Sequence, residues 1–215
     1  HPFAVTLDIP VPTIVITDQT IGEDGSVELD DIFTTAAGWI VIYSDDNGSI
    51  GEPLAHQYVE AGDNEDVQIP IPLNKATPRL LAALFTDSGT LRHYEDDSID
   101  TAILVNGQPL TTAFQVKLPP SIYVYDQPII DKTIIIDRAV SDGSGWLVAY
   151  DDPSTTSAGI ILGSTLLTYG LNEMSSMTIS SDTVDTVYLL LQSDEEDVGT
   201  FNVPGDMPLV MENGR

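Results

Sequence analysis

The sequence predicts an all-β protein of two tandem β-sandwich domains, the second lacking its last strand. Three observations carry this. Short runs rich in Val, Ile, Thr and Tyr alternate with Gly, Asp, Asn and Ser clusters at sandwich spacing, and helical periodicity is weak throughout. The first half of the chain recurs in the second at offsets of 107 and 108 positions. The last residues, Leu209-Val210-Met211-Glu212-Asn213-Gly214-Arg215, open a β-hairpin with no returning strand in the sequence.

The repeat is read from matched pieces. Thr13-Ile14-Val15-Ile16-Thr17-Asp18-Gln19 matches Ser121-Ile122-Tyr123-Val124-Tyr125-Asp126-Gln127. Gly38-Trp39-Ile40-Val41-Ile42-Tyr43 matches Gly145-Trp146-Leu147-Val148-Ala149-Tyr150, and paired aspartates follow within two residues. Gly62 and Asn64 match Gly170 and Asn172; Leu80 to Leu84 matches Val187 to Leu191, each leading to an acidic turn at Asp87 or Asp194. A period this long indicates tandem domains rather than a solenoid, whose repeats run to about 20–50 residues. The expected organisation is a segment 1–12, a first domain 13–118 and a second 119–215, with Pro119-Pro120 at the boundary.

Strands are expected in the first unit near 13–18, 26–30, 39–44, 54–59, 66–71, 79–86, 101–105 and 110–118. In the second they are expected near 121–126, 132–137, 146–150, 160–168, 174–180, 185–193, 199–203 and 208–212. Residues 76–85 have some helical character, but the matching 183–192 is rich in β-formers, so both are read as strands. In the first unit Asn106-Gly107 turns the chain into 110–118. In the second the corresponding Asn213-Gly214 does not, which leaves a vacancy one strand wide and an unpaired edge.

Residues 3–9 match that vacancy. Phe3, Val5, Leu7 and Ile9 fall on one face of an extended segment, in the same phase as Phe114, Val116 and Leu118. Pro10 and Pro12 then lead into a domain, as Pro119 and Pro120 do. The sequence therefore predicts a structural subunit polymerised head to tail by donor-strand exchange. Residues 3–9 are the donor, and Leu209, Val210 and Met211 line the acceptor in a neighbouring copy. Insertion within one molecule, and an ordinary extra edge strand on the first domain, are the competing placements.

The set Asp-Gln, Gly-Trp-x-Val, Tyr followed by Asp-Asp, Gly-x-Asn and an acidic turn resembles an uncharacterised domain family found in tandem in secreted and surface proteins of archaea and some bacteria. The resemblance implies an extracellular immunoglobulin-like sandwich and supplies no catalytic residues.

Composition narrows the alternatives. A net charge of −27 excludes electrostatic binding to nucleic acid or to anionic membranes, and predicts that copies need screening before they pack together. There is no cysteine and no apolar stretch long enough to span a membrane. His1 without a preceding Met is expected to follow removal of a leader or tag. No Ser-His-Asp set, phosphate loop or metal-spaced histidines stand out, so the chain is not read as an enzyme. The weakest alternative is a copper enzyme holding its metal with His1 and His56 or His93. A further alternative is a monomeric or tethered cell-surface binding module. The acidic loops make Asp45, Asp46, Asp63, Asp66, Asp151 and Asp152 candidate calcium ligands, although none fits the EF-hand pattern.

Overall fold

A computed structural model describes residues 10–22, 24–95, 98–152, 160–181, 184–195, 198–203, 205, 206 and 208. Every regular element among them is a strand, and no helix there is long and apolar enough to cross a membrane. The chain divides into two compact units, the first running to Lys117 and the second starting at Leu118.

The first unit contains β1 (Thr13–Val15), β2 (Gln19–Thr20), β3 (Ser26–Thr34), β4 (Gly38–Asp46), β5 (Ser49–Val59) and β6 (Gly62–Pro70). After these come β7 (Arg79–Thr86), β8 (Leu104–Val105), β9 (Gln108–Pro109) and β10 (Thr111–Lys117). One sheet has the order β1-β3-β6 and the other β2-β10-β7-β4-β5, with β8 and β9 forming a small hairpin. The N-terminal strand thus begins in one sheet and crosses to the other, where β2 lies parallel to β10. With that exchange and the β3-to-β4 and β6-to-β7 crossings, the unit is an immunoglobulin-like sandwich.

Its core follows from alternation. Ile40, Ile42, Leu80, Ala82 and Leu84 are buried in one phase of β4 and β7; on β3 Val27 and Leu29 are buried in one phase and Ile32 in the other, the change falling at Asp30–Asp31, and Ile69 is buried on β6. The opposite phase of β4 and β7 is buried too: Trp39, Val41, Tyr43, Leu81, Ala83 and Phe85 cluster with Tyr58, Tyr94 and Ala102. Burial on both faces explains why these two strands read as continuous apolar runs.

The second unit contains β11 (Ser121–Tyr123), β12 (Thr133–Ser141), β13 (Gly145–Tyr150), β14 (Ile161–Leu167), β15 (Gly170–Thr178) and β16 (Tyr188–Ser193). Its sheets are β11-β12-β15 and β14-β13-β16. Ile134, Ile136, Ala139 and Met177 from the first meet Leu147, Ala149, Leu162, Leu167 and Leu191 from the second in one core, so the sheets pack face to face.

Several expected boundaries need correction. Residues 199–203 are turn and irregular chain, not a strand. Asp194 accepts the Gly199 N–H and Asp206 accepts the Asn202 N–H, so side chains hold the backbone there instead of a ladder. In the first unit 101–105 shrinks to Leu104–Val105, with a bridge from Ala102 to Phe85. The acidic segment 63–66 is not a loop but lies within β6, with Asp66 at φ 50 marking an irregularity in the ladder. Pairing starts early because Gly62, at φ 104, and the Asn64 side chain make the corner. Asn64 accepts from the Glu60 N–H and donates to the Glu60 carbonyl. Asn172 does the same at Thr168.

The Asp-Gln pair also has a physical role. The Gln19 amide donates to the Glu28 carbonyl and accepts the Glu28 N–H, both at 2.9 Å. Gln127 does this at Ile135, at 2.7 and 2.8 Å. A side-chain amide thus substitutes for a strand residue where the backbone leaves one sheet for the other.

Candidate functional site

The first unit shows how this sandwich closes its edge. β10 runs antiparallel to β7, with Phe114 opposite Leu80 and Gln115 opposite Arg79. On its other side β2 pairs in parallel, with Val116 opposite Gln19. Three further bonds fix the strand: the Gln115 N–H donates to Asp18 Oδ1 at 2.8 Å, the Val116 N–H to the Pro78 carbonyl at 2.8 Å, and the Ile21 N–H to the Lys117 carbonyl at 3.0 Å. Phe114, Val116 and Leu118 are buried, and so are Ile14, Ile21, Leu80 and Ala82.

In the second unit the same positions are open. The repeat places Ile122, Ile129, Val187 and Leu189 where the first unit has Ile14, Ile21, Leu80 and Ala82. All four pack against the core, yet each is only half-buried. On the opposite face, Tyr188 is 38% exposed where its counterpart Leu81 is 7% exposed. β16, the counterpart of β7, is the last strand of its sheet; beyond it, among the described residues, lies only a single bridge from Gln192 to Pro208. Asp126, the counterpart of Asp18, is exposed and makes no hydrogen bond among the described residues. Gln127 still clasps β12, but among the described residues no parallel pairing follows it there.

The predicted donor residues Phe3, Val5, Leu7 and Ile9, and the predicted acceptor residues Leu209, Val210 and Met211, lie outside the described residues. The slot that the described residues do form is lined by Ile122, Ile129, Val187 and Leu189, which sequence reasoning did not name. The signal was available: these are the repeat positions of Leu80 and Ala82 on β7, Ile21 just after β2 and Ile14 on β1.

The acidic turns have a structural use that the sequence did not disclose. The Trp39 indole N–H donates to Asp87 at 3.4 Å and the Trp146 indole N–H to Asp194 at 3.2 Å. Each aspartate also accepts a backbone N–H five residues on, from Arg92 or Gly199. A second buried aspartate ties down the same loop. Asp100 accepts the Ser88 and Glu95 N–H groups, both at 2.8 Å, and Asp206 accepts those of Glu195 and Asn202. Burial pushes the Asp100 carboxyl up, but the Glu95, Ser88 and Gly89 N–H groups, helped by His93, outweigh it and hold the pKa below the ordinary value.

The candidate calcium ligands are spread over separate places. Asp45 pairs with the Arg79 guanidinium and accepts the Gly48 N–H, and Asp46 accepts from the Asn47 amide. Asp63 and Asp66 lie on β6, and Asp63 faces Phe33 of β3 across the ladder. Asp151 accepts the Ile160 N–H at 2.7 Å, and Asp152 is exposed beside it. Among the described residues no three His, Asp or Glu side chains are grouped so as to hold a metal ion. His1 lies outside the described residues. His56 stacks on Tyr94 at 4.5 Å and meets Trp39 edge-on; burial and the charge of His93 both lower its pKa.

Comparison with known proteins adds a family match over half the repeat. Residues 12–117 match the model of a domain of unknown function, DUF7282. No curated protein matches the sequence. Among solved structures, the class 5 fimbriae chaperone CfaA is 11% identical, covering 93% of this chain and 98% of its own at a TM-score of 0.28. CBD12 from CALX1.2 is 7% identical, covering 78% and 74%, at a TM-score of 0.24.

Proposed function

We propose that this chain is a structural subunit of an extracellular filament or tube. Subunits join head to tail when residues 3–9 of one copy insert beside β16 in the second unit of the next. The observation that supports this is the contrast between the units: four core positions buried in the first are half-buried in the second, along a sheet edge that, among the described residues, carries only the Gln192–Pro208 bridge. The donor has the right chemistry for that edge. Phe3, Val5, Leu7 and Ile9 repeat the alternation of Phe114, Val116 and Leu118. Main-chain bonds to β16 would hold the strand while alternate side chains fill the slot. Each buried anchor contributes roughly 1.5–3 kcal/mol before ordering costs, so four make a durable joint.

The test is assembly of residues 1–215 against residues 13–215, followed by light scattering and negative-stain imaging. The longer chain forms filaments and the shorter one does not, while a peptide of residues 1–12 binds the shorter chain. An intact chain that stays monomeric at high concentration, in salt and calcium, refutes the proposal.

A further inference from the structure

We infer that Asp126 and the Ile129 N–H set the register of the incoming strand, seating Ala4 of the neighbouring copy opposite Thr186. This rests on the strand-exchange reading above and deepens it by fixing the position of each donor residue.

The first unit supplies the geometry. Asp18 holds β10 from outside the β7 ladder by accepting the Gln115 N–H, and the Ile21 N–H donates to the Lys117 carbonyl two residues on. These two bonds clamp one strand at two points in the sequence, so a slide of one residue breaks both. Both clamping groups recur in the second unit, at Asp126 and Ile129. Neither the Asp126 carboxylate nor the Ile129 N–H has a hydrogen-bond partner among the described residues. Nearby, Gln127 grips β12 at Ile135 as Gln19 grips β3 at Glu28, across eight residues rather than nine, so the segment carrying the clamp is anchored by the same kind of bond.

Matching Phe3-Ala4-Val5-Thr6-Leu7 to Phe114-Gln115-Val116-Lys117-Leu118 then assigns the bonds. The Ala4 N–H donates to Asp126, and the Ile129 N–H donates to the Thr6 carbonyl. Phe3 falls opposite Val187, as Phe114 falls opposite Leu80. The need for such a clamp is physical. Apolar alternation has a period of two, so a slide of two residues still presents an apolar face and is not rejected by the slot alone. The slide that brings Pro2 opposite Thr186 is rejected, because Pro2 has no N–H to give Asp126; the opposite slide keeps a donor there but puts Val5 in the place of Phe3.

The experiment uses the full chain, which has no native cysteine. Ala4→Cys with Thr186→Cys, oxidised after assembly, gives a ladder of covalent oligomers on a denaturing gel. Ala4→Cys with Val184→Cys, the pair for the two-residue slide that brings Pro2 to Asp126, does not. Separately, Asp126→Ala filaments lose subunits about tenfold faster on dilution, the scale of one charge-assisted hydrogen bond. Asp126→Asn, which keeps an acceptor oxygen, falls between the two. Unfolding of the unassembled Asp126→Ala chain, followed by tryptophan fluorescence, is unchanged, which separates a register role from a structural one. The inference is overturned by cross-linking through Val184 rather than Thr186, or by Asp126→Ala filaments as durable as the parent's. A parent chain that never assembles overturns the strand-exchange reading itself, and the register with it.

Discussion

Asp100 is the most informative single site for stability. Its two oxygens accept the Ser88 and Glu95 N–H groups at 2.8 Å, pinning both ends of the loop that follows β7. Asp100→Ala removes both bonds and leaves two N–H donors under a buried position. Hydrogen bonds to a charged group are worth about 1.5–3 kcal/mol each, so the loss is about 3 kcal/mol once some water reaches the loop. With a urea slope of about 1.5 kcal/mol/M, the midpoint of the first unit falls by about 2 M. Asp100→Asn keeps one acceptor and loses about half as much. The folded carboxyl titrates below its ordinary value. Its contribution is therefore fully present above the unfolded pKa of about 4, and is lost as pH falls through the lower folded pKa. Each unit has one tryptophan, so a Trp146→Phe background lets Trp39 fluorescence report the first unit alone. The parent and Asp100→Ala curves are well separated at pH 7 and converge in acid. A midpoint within about 0.3 M of the parent at pH 7, or a gap that does not narrow in acid, refutes the clasp.

Three more outcomes follow from packing and charge. Phe114→Ala empties a position that is 3% exposed and lowers the stability of the first unit by about 3–5 kcal/mol, measured by calorimetry. Gly38→Ala drives a Cβ into the Phe85 carbonyl oxygen and splits the β4–β7 pairing, so its fall in melting temperature exceeds that of Gly48→Ala, where only the positive φ of 92 is violated. Assembly of a chain with net charge −27 speeds up between about 0.01 and 0.1 M salt, as the screening length falls from about 30 to 10 Å; stopped-flow light scattering reads the rate.

The legible part of this molecule was the part written in local pattern. Alternation located β10 and continuous apolar runs located β4 and β7, and the ambiguous run at 76–85 was settled by comparing it with its repeat. Boundaries failed where a side chain, not a ladder, holds the backbone. Asp206 fixing Asn202 leaves 199–203 irregular although its composition allows a strand. Asn64 and Gly62 start β6 four residues earlier than its apolar pattern does. The tryptophan–aspartate clasps were visible only as two recurring motifs, because the partners are 48 residues apart and no periodicity joins them. The four half-buried positions were half-legible: the repeat aligns them with Ile14, Ile21, Leu80 and Ala82, but their greater exposure emerges only from comparing burial in the two units.

The parallel pairing of β2 with β10 bears on how the first unit carries load. These strands lie near opposite ends of the unit's sequence, so tension applied through the chain draws β2 backward and β10 forward along each other. The bonds from Ile21 to Lys117 and from Gln115 to Asp18 are then strained together, in shear, rather than opened one after another. A strand seated beside β16 would give the second unit the same resistance, and a thread of such joints would be as strong under tension as the folded domains it links.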